Sequence, residues 1–321
     1  MKPIKTRVAE MLGIDYPIIQ GGMVWAASSD LVAAVSEAGG FGLLGSASMY
    51  PDHFRNEIRR VRQLTNKPFG ANISLTRDDA QLLLDICIEE KVTAVSCSLG
   101  NPAVYVDKMK AAGIITMHVV TNLKHALKAQ TVGADMVIAV GVEAGGHPGP
   151  DEMAVMTLVP QLVDALDIPV IAAGGIVDGR GLAAAMALGA EGVQVGTRFL
   201  MTTEATVHEA YKQKIMEAGM TDTILVAKKV GVVRMLKTPF ALALKEAEEK
   251  GASAEELHRM LRENRPKFAM VQGDVNGQIQ AGQGVGMIND IVPAAEVIRR
   301  MVTQYEDIVQ KLAAASQAKG G

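Results

Sequence analysis

Short aliphatic runs recur along the chain, each followed by a loop and then by an amphipathic stretch that ends in glycine. The runs are Pro17–Gly22, Phe41–Ala47, Phe69–Leu75, Ala94–Leu99, Ile115–Val120, Met136–Gly141, Pro169–Gly175 and Gly192–Thr197. Each has strand length, and most are apolar at every position rather than alternating, the pattern of strands covered on both faces. Between them lie helical segments such as Leu31–Ala38, Phe54–Leu64, Ala80–Glu90, Val104–Ala112, Leu123–Val132 and Leu182–Leu188. Their exits repeat too: Gly39, Gly113, Gly133 and Gly189 stand where a left-handed cap is needed. Strict alternation of strand and helix implies parallel pairing with right-handed crossovers. About eight such units predict a (β/α)8 TIM barrel, with an open doubly wound sheet as the alternative.

After Thr197 the pattern changes. Residues 221–283 show no strand-like run and read as charged helix, notably over Lys245–Lys250 and Glu255–Arg265. The expected organisation is a barrel over 1–220, a helical insertion or lid over 221–290, and a closing barrel helix with its tail over 291–321. The amphipathic stretch Pro293–Leu312 supplies that helix, and Ser316–Gly321 is expected to fray.

Composition narrows the chemistry. Hydrophobic residues make up 49% of the 321 positions but aromatics only 4%, so the core is aliphatic. A net charge of −3 with no clustered basic face argues against a nucleic-acid partner. No apolar run approaches membrane-spanning length, and Met1-Lys2-Pro3-Ile4-Lys5 does not open a signal peptide. Cys87 and Cys97 lack metal-ligand spacing and read as reduced core thiols, which suits a cytoplasmic location.

In a barrel, chemistry gathers at the C-terminal ends of the strands. The last two ends, Gly174-Gly175 and Gly196-Thr197, combine backbone donors with a hydroxyl. With the helix start near Asp178–Arg180, they read as a phosphate site. Glu143-Ala144-Gly145-Gly146-His147 is a loop whose glycines cost backbone entropy and which delivers one imidazole to the barrel mouth. His147 is therefore the candidate catalytic residue. His118 lies within an apolar run and reads as either core or pocket. His53, His125, His208 and His258 occupy charged helical contexts and read as surface. No histidine pair has metal spacing and most strand ends lack acids, so no catalytic metal is expected. Gly40–Gly45 matches G-x-G-x-x-G, but it follows a helix and lies in a strand, the reverse of a dinucleotide fingerprint. Lys228, Lys229, Arg234, Lys237 and Lys245 form a basic run that reads either as a solvated face or as a clamp for cosubstrate phosphates over the mouth.

Taken in order, Tyr16-Pro-Ile-Ile-Gln-Gly-Gly-Met23, Lys67-Pro-Phe-Gly-Ala-Asn72, Glu143-Ala-Gly-Gly-His147, Ile168-Pro-Val-Ile-Ala-Ala-Gly-Gly175 and Gly192-Val-Gln-Val-Gly-Thr-Arg198 resemble the nitronate monooxygenase (2-nitropropane dioxygenase) family. The resemblance covers nearly the whole chain. That family also contains FMN-dependent enoyl-[acyl carrier protein] reductases and NADH:quinone reductases. It implies FMN, held by Gly21, Gly22, Met23, Asn72, Gly145, Gly146, Gly174, Gly175, Gln194, Val195, Gly196 and Thr197, with His147 facing the reactive side of the flavin. Val140 stands where the monooxygenases often have Gln, and the loop Ile73–Asp79 is short. Gln272–Gly277 with Ala281–Gln283 resembles the reductase branches. Two activities follow: oxidation of alkyl nitronates by dioxygen, placed first as the family's name activity, and NAD(P)H-dependent reduction of enoyl thioesters or quinones. The expected partners are a small-molecule substrate and dioxygen or NAD(P)H, with a homodimer allowed for and neither nucleic acid nor membrane.

Overall fold

The computed structural model of the chain describes residues 2–317. The eight aliphatic runs form β1 (Ile18–Gln20), β2 (Phe41–Gly45), β3 (Phe69–Ser74), β4 (Ala94–Ser98), β5 (Ile115–Val120), β6 (Met136–Val140), β7 (Val170–Ala173) and β8 (Gly192–Val195). They pair in sequence order, all parallel, and β8 returns to β1 through Ile18 with Val193, Ile19 with Gln194 and Gln20 with Val195. That closure makes a (β/α)8 barrel with surrounding helices and excludes the open sheet, which would leave two edges. The four helix-exit glycines take the left-handed state, with φ of 87° (Gly39), 73° (Gly113), 85° (Gly133) and 91° (Gly189).

Alternation along each strand divides the core. Ile19, Phe41, Leu43, Ala94, Met117, Met136, Ile138 and Ile171 form an interior cluster, which Val8 and Leu12 of the helix Arg7–Leu12 join. The intervening residues, among them Leu44, Ala71, Val95, Val137, Ala139, Ala172, Val193 and Val195, pack against the helices in a separate cluster. The same period of two decides which side chains face the barrel mouth.

The amphipathic stretch at the end of the chain forms the helix Ala294–Gln317, which packs against the helices Gly179–Ala187 and Ser29–Glu37. Ser316 and Gln317 belong to it, and the rest of the expected fraying tail lies outside the described residues. Among the described residues no helix is long and apolar enough to cross a membrane.

The segment after β8 departs from the expectation of helix alone. β9 (Thr223–Val226) and β10 (Val233–Leu236) form an antiparallel hairpin. The signal was present in Ile224-Leu225-Val226 and Val232-Val233 flanking a turn at Ala227–Gly231. Lys228 and Lys229 in the turn and Arg234 within β10 obscured it, because a cluster of charges reads as helix surface when its burial is unknown. The hairpin packs on the helices Pro239–Glu249 and Ala254–Glu263 through Val226, Val233, Met235, Ala241, Leu244 and Leu257. Ser253 and Glu256 close a reciprocal capping box at the start of the second of these helices.

His53, His125, His208 and His258 are exposed, as their contexts indicate. His118 faces outward from β5 and is buried beside Tyr105, whose hydroxyl donates to the Met117 carbonyl at 2.9 Å and lies 3.4 Å from His118 Nδ1. It is thus a core residue. Burial first, then the positive charges of His125 and Lys128, pushes its pKa down to about 4. A histidine depressed in the folded state takes up its proton more readily when unfolded, so stability falls as pH drops from 6.5 toward 4. Protonation here should cost about 3 kcal/mol over that window. Denaturant unfolding at pH 7 and pH 4.5 should show this loss in the parent and a smaller one in His118→Gln. Equal losses would mean that His118 is not the group responsible.

Candidate active site

The inward positions at the tops of the strands form the floor of a cleft of about 750 Å³: Gly21, Asn72, Ser98, Val119, Val140, Ala173 and Gln194. Small or uncharged side chains at each of these positions leave a broad, shallow floor. Asn72 is oriented from below, its Nδ2 donating to Ser96 Oγ at 3.2 Å and to the Ser96 carbonyl at 3.3 Å. Met23, Gly22 and Gly174 to Val177 build the walls, and Arg265, Lys267, Met270, Gln280, Gly282 and Gly284 reach in from the segment after the hairpin.

Of the residues singled out from the sequence, Gly21, Gly22, Met23, Asn72, Gly145, Gly146, His147, Gly174, Gly175, Gln194, Gly196 and Thr197 all line this cleft. Val195 does not. Its parity turns the side chain into the outer core, where it is fully buried, and only its carbonyl serves the site, accepting from Gly21 N–H at 3.0 Å.

The glycine ends of β7 and β8 present free donors. The amides of Gly175, Ile176, Gly196 and Thr197 have no hydrogen-bond acceptor among the described residues, although all four residues line the cleft. Thr197 Oγ1 accepts from Gly282 N–H at 3.0 Å, which leaves its own proton to give. Gly175 has a φ of +68°, and a Cβ there would stand 3.2 Å from that of Glu143. This cradle of unspent amides fits the phosphate of a flavin mononucleotide. The helix start at Asp178–Arg180 takes no part, contrary to expectation. Gly179 N–H donates to Gln304 Oε1 at 2.8 Å, and Asp178 caps Arg180 N–H at 2.9 Å, so that terminus is sealed against the closing helix.

The histidine loop is fixed from three sides. Glu143 turns its carboxylate onto Val155 N–H at 3.0 Å, capping the start of the helix Val155–Ala165, while its carbonyl accepts from Gln283 N–H at 2.8 Å. Gly146 and Arg234 exchange backbone hydrogen bonds of 3.0 and 2.7 Å, which joins the loop to β10. The buried Arg234 guanidinium donates from Nε to the Val142 carbonyl at 2.8 Å and from a terminal nitrogen to Thr223 Oγ1 at 3.1 Å. Gly145 passes so close to the returning segment that a Cβ would lie 2.6 Å from the Ala281 carbonyl carbon. His147 itself has no hydrogen-bond partner among the described residues, and its ring is open to the cleft. The protein mass around the cleft disfavours its charged form and pushes its pKa below the ordinary histidine value.

The basic run does not clamp the mouth. Lys228 pairs with Glu152, Lys229 Nζ donates to the Ala252 carbonyl at 2.9 Å, Arg234 is buried, and Lys245 pairs with Glu249 at 3.2 Å. The cations that do line the cleft are Arg77, Arg265 and Lys267. Sequence reading missed these and Trp25, because nothing in a linear pattern brings residues 25, 77 and 265–267 together.

The family model described as nitronate monooxygenase matches residues 5–83 and 80–304. The chain belongs to the nitronate monooxygenase family. It is an oxidoreductase of a family of flavoproteins. FabK from Thermotoga maritima is similar in structure, with a TM-score of 0.93 and 43% identity over 97% of this chain and 99% of that one. A Rhodococcus jostii (strain RHA1) protein named (3aS,4S,5R,7aS)-5-hydroxy-7a-methyl-1-oxo-octahydro-1H-indene-4-carboxyl-CoA dehydrogenase is 42% identical over 76% of this chain and 69% of that protein. A probable nitronate monooxygenase of Staphylococcus saprophyticus is 36% identical over 69% and 75%. These relatives of the chain thus carry different enzyme names.

Gly175→Asp should abolish flavin retention while the barrel stays folded, because it adds a carboxylate to the cradle. Gly175→Ala shares the strain of positive φ without the charge and should retain flavin more weakly than the parent. Flavin absorbance of the purified proteins measures this, and an Asp variant as yellow as the Ala variant would refute the placement.

Proposed function

We propose that the protein is an FMN-dependent oxidoreductase that uses NAD(P)H to reduce the double bond of an enoyl thioester. The observation that carries this reading is the lining of the cleft. Beyond the glycine cradle it is walled by Met23, Val24, Met49, Leu200 and Met270, an apolar sleeve suited to an acyl chain and larger than a small nitronate needs. The names of the Rhodococcus and Thermotoga relatives agree with a substrate outside the nitronates. In this reading residues 221–290 act as the lid over the barrel of 1–220, and 291–321 closes it.

FMN, when bound, supplies the two-electron store between nicotinamide and substrate. Gly175, Ile176, Gly196 and Thr197 would hold its phosphate, and Gly21, Gly22, Asn72 and Gln194 would lie against its rings. Among the described lining residues, His147 alone has an ordinary pKa near neutrality. Kept neutral by its surroundings, it donates a ring N–H to the thioester carbonyl oxygen, where charge gathers as hydride arrives at the β-carbon. The carbon next to the carbonyl then takes its proton from water in the cleft.

A second reading is oxidation of alkyl nitronates by dioxygen, favoured by the Staphylococcus relative's name. There His147 takes a proton or steadies the anionic substrate. Anaerobic mixing separates the two. Rapid flavin bleaching by NADH or NADPH, followed by reoxidation with an enoyl thioester, is expected. Bleaching by ethylnitronate with negligible reduction by either nicotinamide would overturn the first reading, and reoxidation by a quinone alone would move the acceptor to that class.

His147→Ala should keep its fold and flavin but lose about two to four decades of turnover. Because the neutral ring is the working form and its pKa is lowered, parental kcat/KM should fall only as pH drops below about 6.5. That acid limb should vanish from the residual activity of the variant. Wild-type turnover with every accepted substrate would leave His147 a structural role only.

A further inference from the structure

The cleft carries charge that the phosphate cradle does not use. Its described lining contains the cations Arg77, Arg265 and Lys267 and no aspartate or glutamate, in a chain whose net charge is −3. Arg77 is committed to Asp79 at 2.7 Å and to the carbonyls of Ser46, Ala47 and Met49 at 3.1, 2.8 and 3.0 Å. Arg265 and Lys267 enter no ion pair among the described residues. Among the described residues the Arg265 side chain donates only to the Arg262 carbonyl at 3.2 Å, and Lys267 Nζ stands 5.4 Å from the centre of the Trp25 ring.

Trp25 is half-buried in the same wall. Its φ is +65°, a state that a bulky residue keeps only where its surroundings hold it. Thr206 Oγ1 donates to its carbonyl at 3.0 Å, and its amide donates to Ser48 Oγ at 3.4 Å. An indole that lines the cleft with Lys267 over its ring, and a second cation without a counter-charge in the same lining, match a planar base joined to a diphosphate.

We infer that Trp25, Arg265 and Lys267 form a subsite for the adenosine diphosphate part of a nucleotide ligand. The adenine takes the indole face now covered by Lys267. That exposed side chain swings to the diphosphate, and Arg265 meets the same group. NAD(P)H and a coenzyme A thioester both carry this moiety. The inference deepens the reductase reading and rests on it for the identity of the ligand.

Trp25 is the single tryptophan of the chain, so its emission reports on this subsite alone. Titrating the flavin-loaded enzyme with ADP should quench that emission saturably, less so at high salt, with inorganic pyrophosphate competing. Arg265→Glu with Lys267→Glu should raise the apparent Kd for ADP about ten-fold or more. Lys229→Glu, whose amine is spent within the lid, should leave it unchanged. In turnover the double variant should raise KM with kcat and flavin content kept, and whether the rise is for NAD(P)H or for the coenzyme A ester names the source of the moiety. Unchanged emission on adding ADP, or an unchanged Kd in the double variant, would overturn the subsite. If the parent turns over NAD(P)H and an enoyl thioester while the double variant's KM does not move, the subsite fails and the reductase reading stands. If ADP binds with the expected variant dependence but neither nicotinamide reduces the flavin, the subsite stands and the reductase reading fails.

Discussion

Hydrogen bonding of β8 to β1 closes the sheet, and that closure governs every other feature of the molecule. A closed parallel sheet has no edge and one rim of C-terminal strand ends, so each strand must send alternate side chains inward at matched heights. The inward layer at that rim is Gly21, Asn72, Ser98, Val119, Val140, Ala173 and Gln194. A single slip in register would exchange Gln194 for Val195 and destroy the floor. The position of the site is therefore a consequence of pairing geometry before any ligand is considered.

On this rim the histidine loop is held by backbone contacts made far away in sequence. Gly146 pairs with Arg234, Gly145 lies against Ala281 and Gly282, and Gly282 donates to Thr197. The hairpin and the returning segment thus tie the loop carrying His147 to the turn that offers free amides after β8. Arg234 strengthens the seam because its guanidinium is buried and spent on a loop carbonyl and a hydroxyl of β9. Burying this cation costs enough to lower its pKa, so its hydrogen bonds have to be kept. Rigidity at His147 suits either redox reading, since a ring without a partner of its own gains its orientation from the loop alone.

Much of this was legible in the chain. Continuous aliphatic runs mark buried parallel strands, because a strand covered on both faces has no position where a polar residue is free of cost. Paired glycines at strand ends mark backbone that must approach something, and they located the cradle and the histidine loop. What misled the sequence reading was charge. Lys228, Lys229 and Arg234 read as a helix surface or a phosphate clamp, yet one is paired with Glu152, one donates to the Ala252 carbonyl, and one is buried in a strand. A charged side chain declares its burial and its partner only when the chain is folded.

The sequence by itself determined the barrel and the strand ends that surround the cleft, because these rest on local periodicity and on short-range backbone demands, and its motifs carried the resemblance to the family. Only the tertiary structure decided that Val195 faces the outer core, that the helix start at Gly179 is sealed by Gln304, and that Trp25 meets Lys267 across the mouth. Each of these depends on strand parity or on contacts between segments more than a hundred residues apart, and neither is written in the order of residues along a single element.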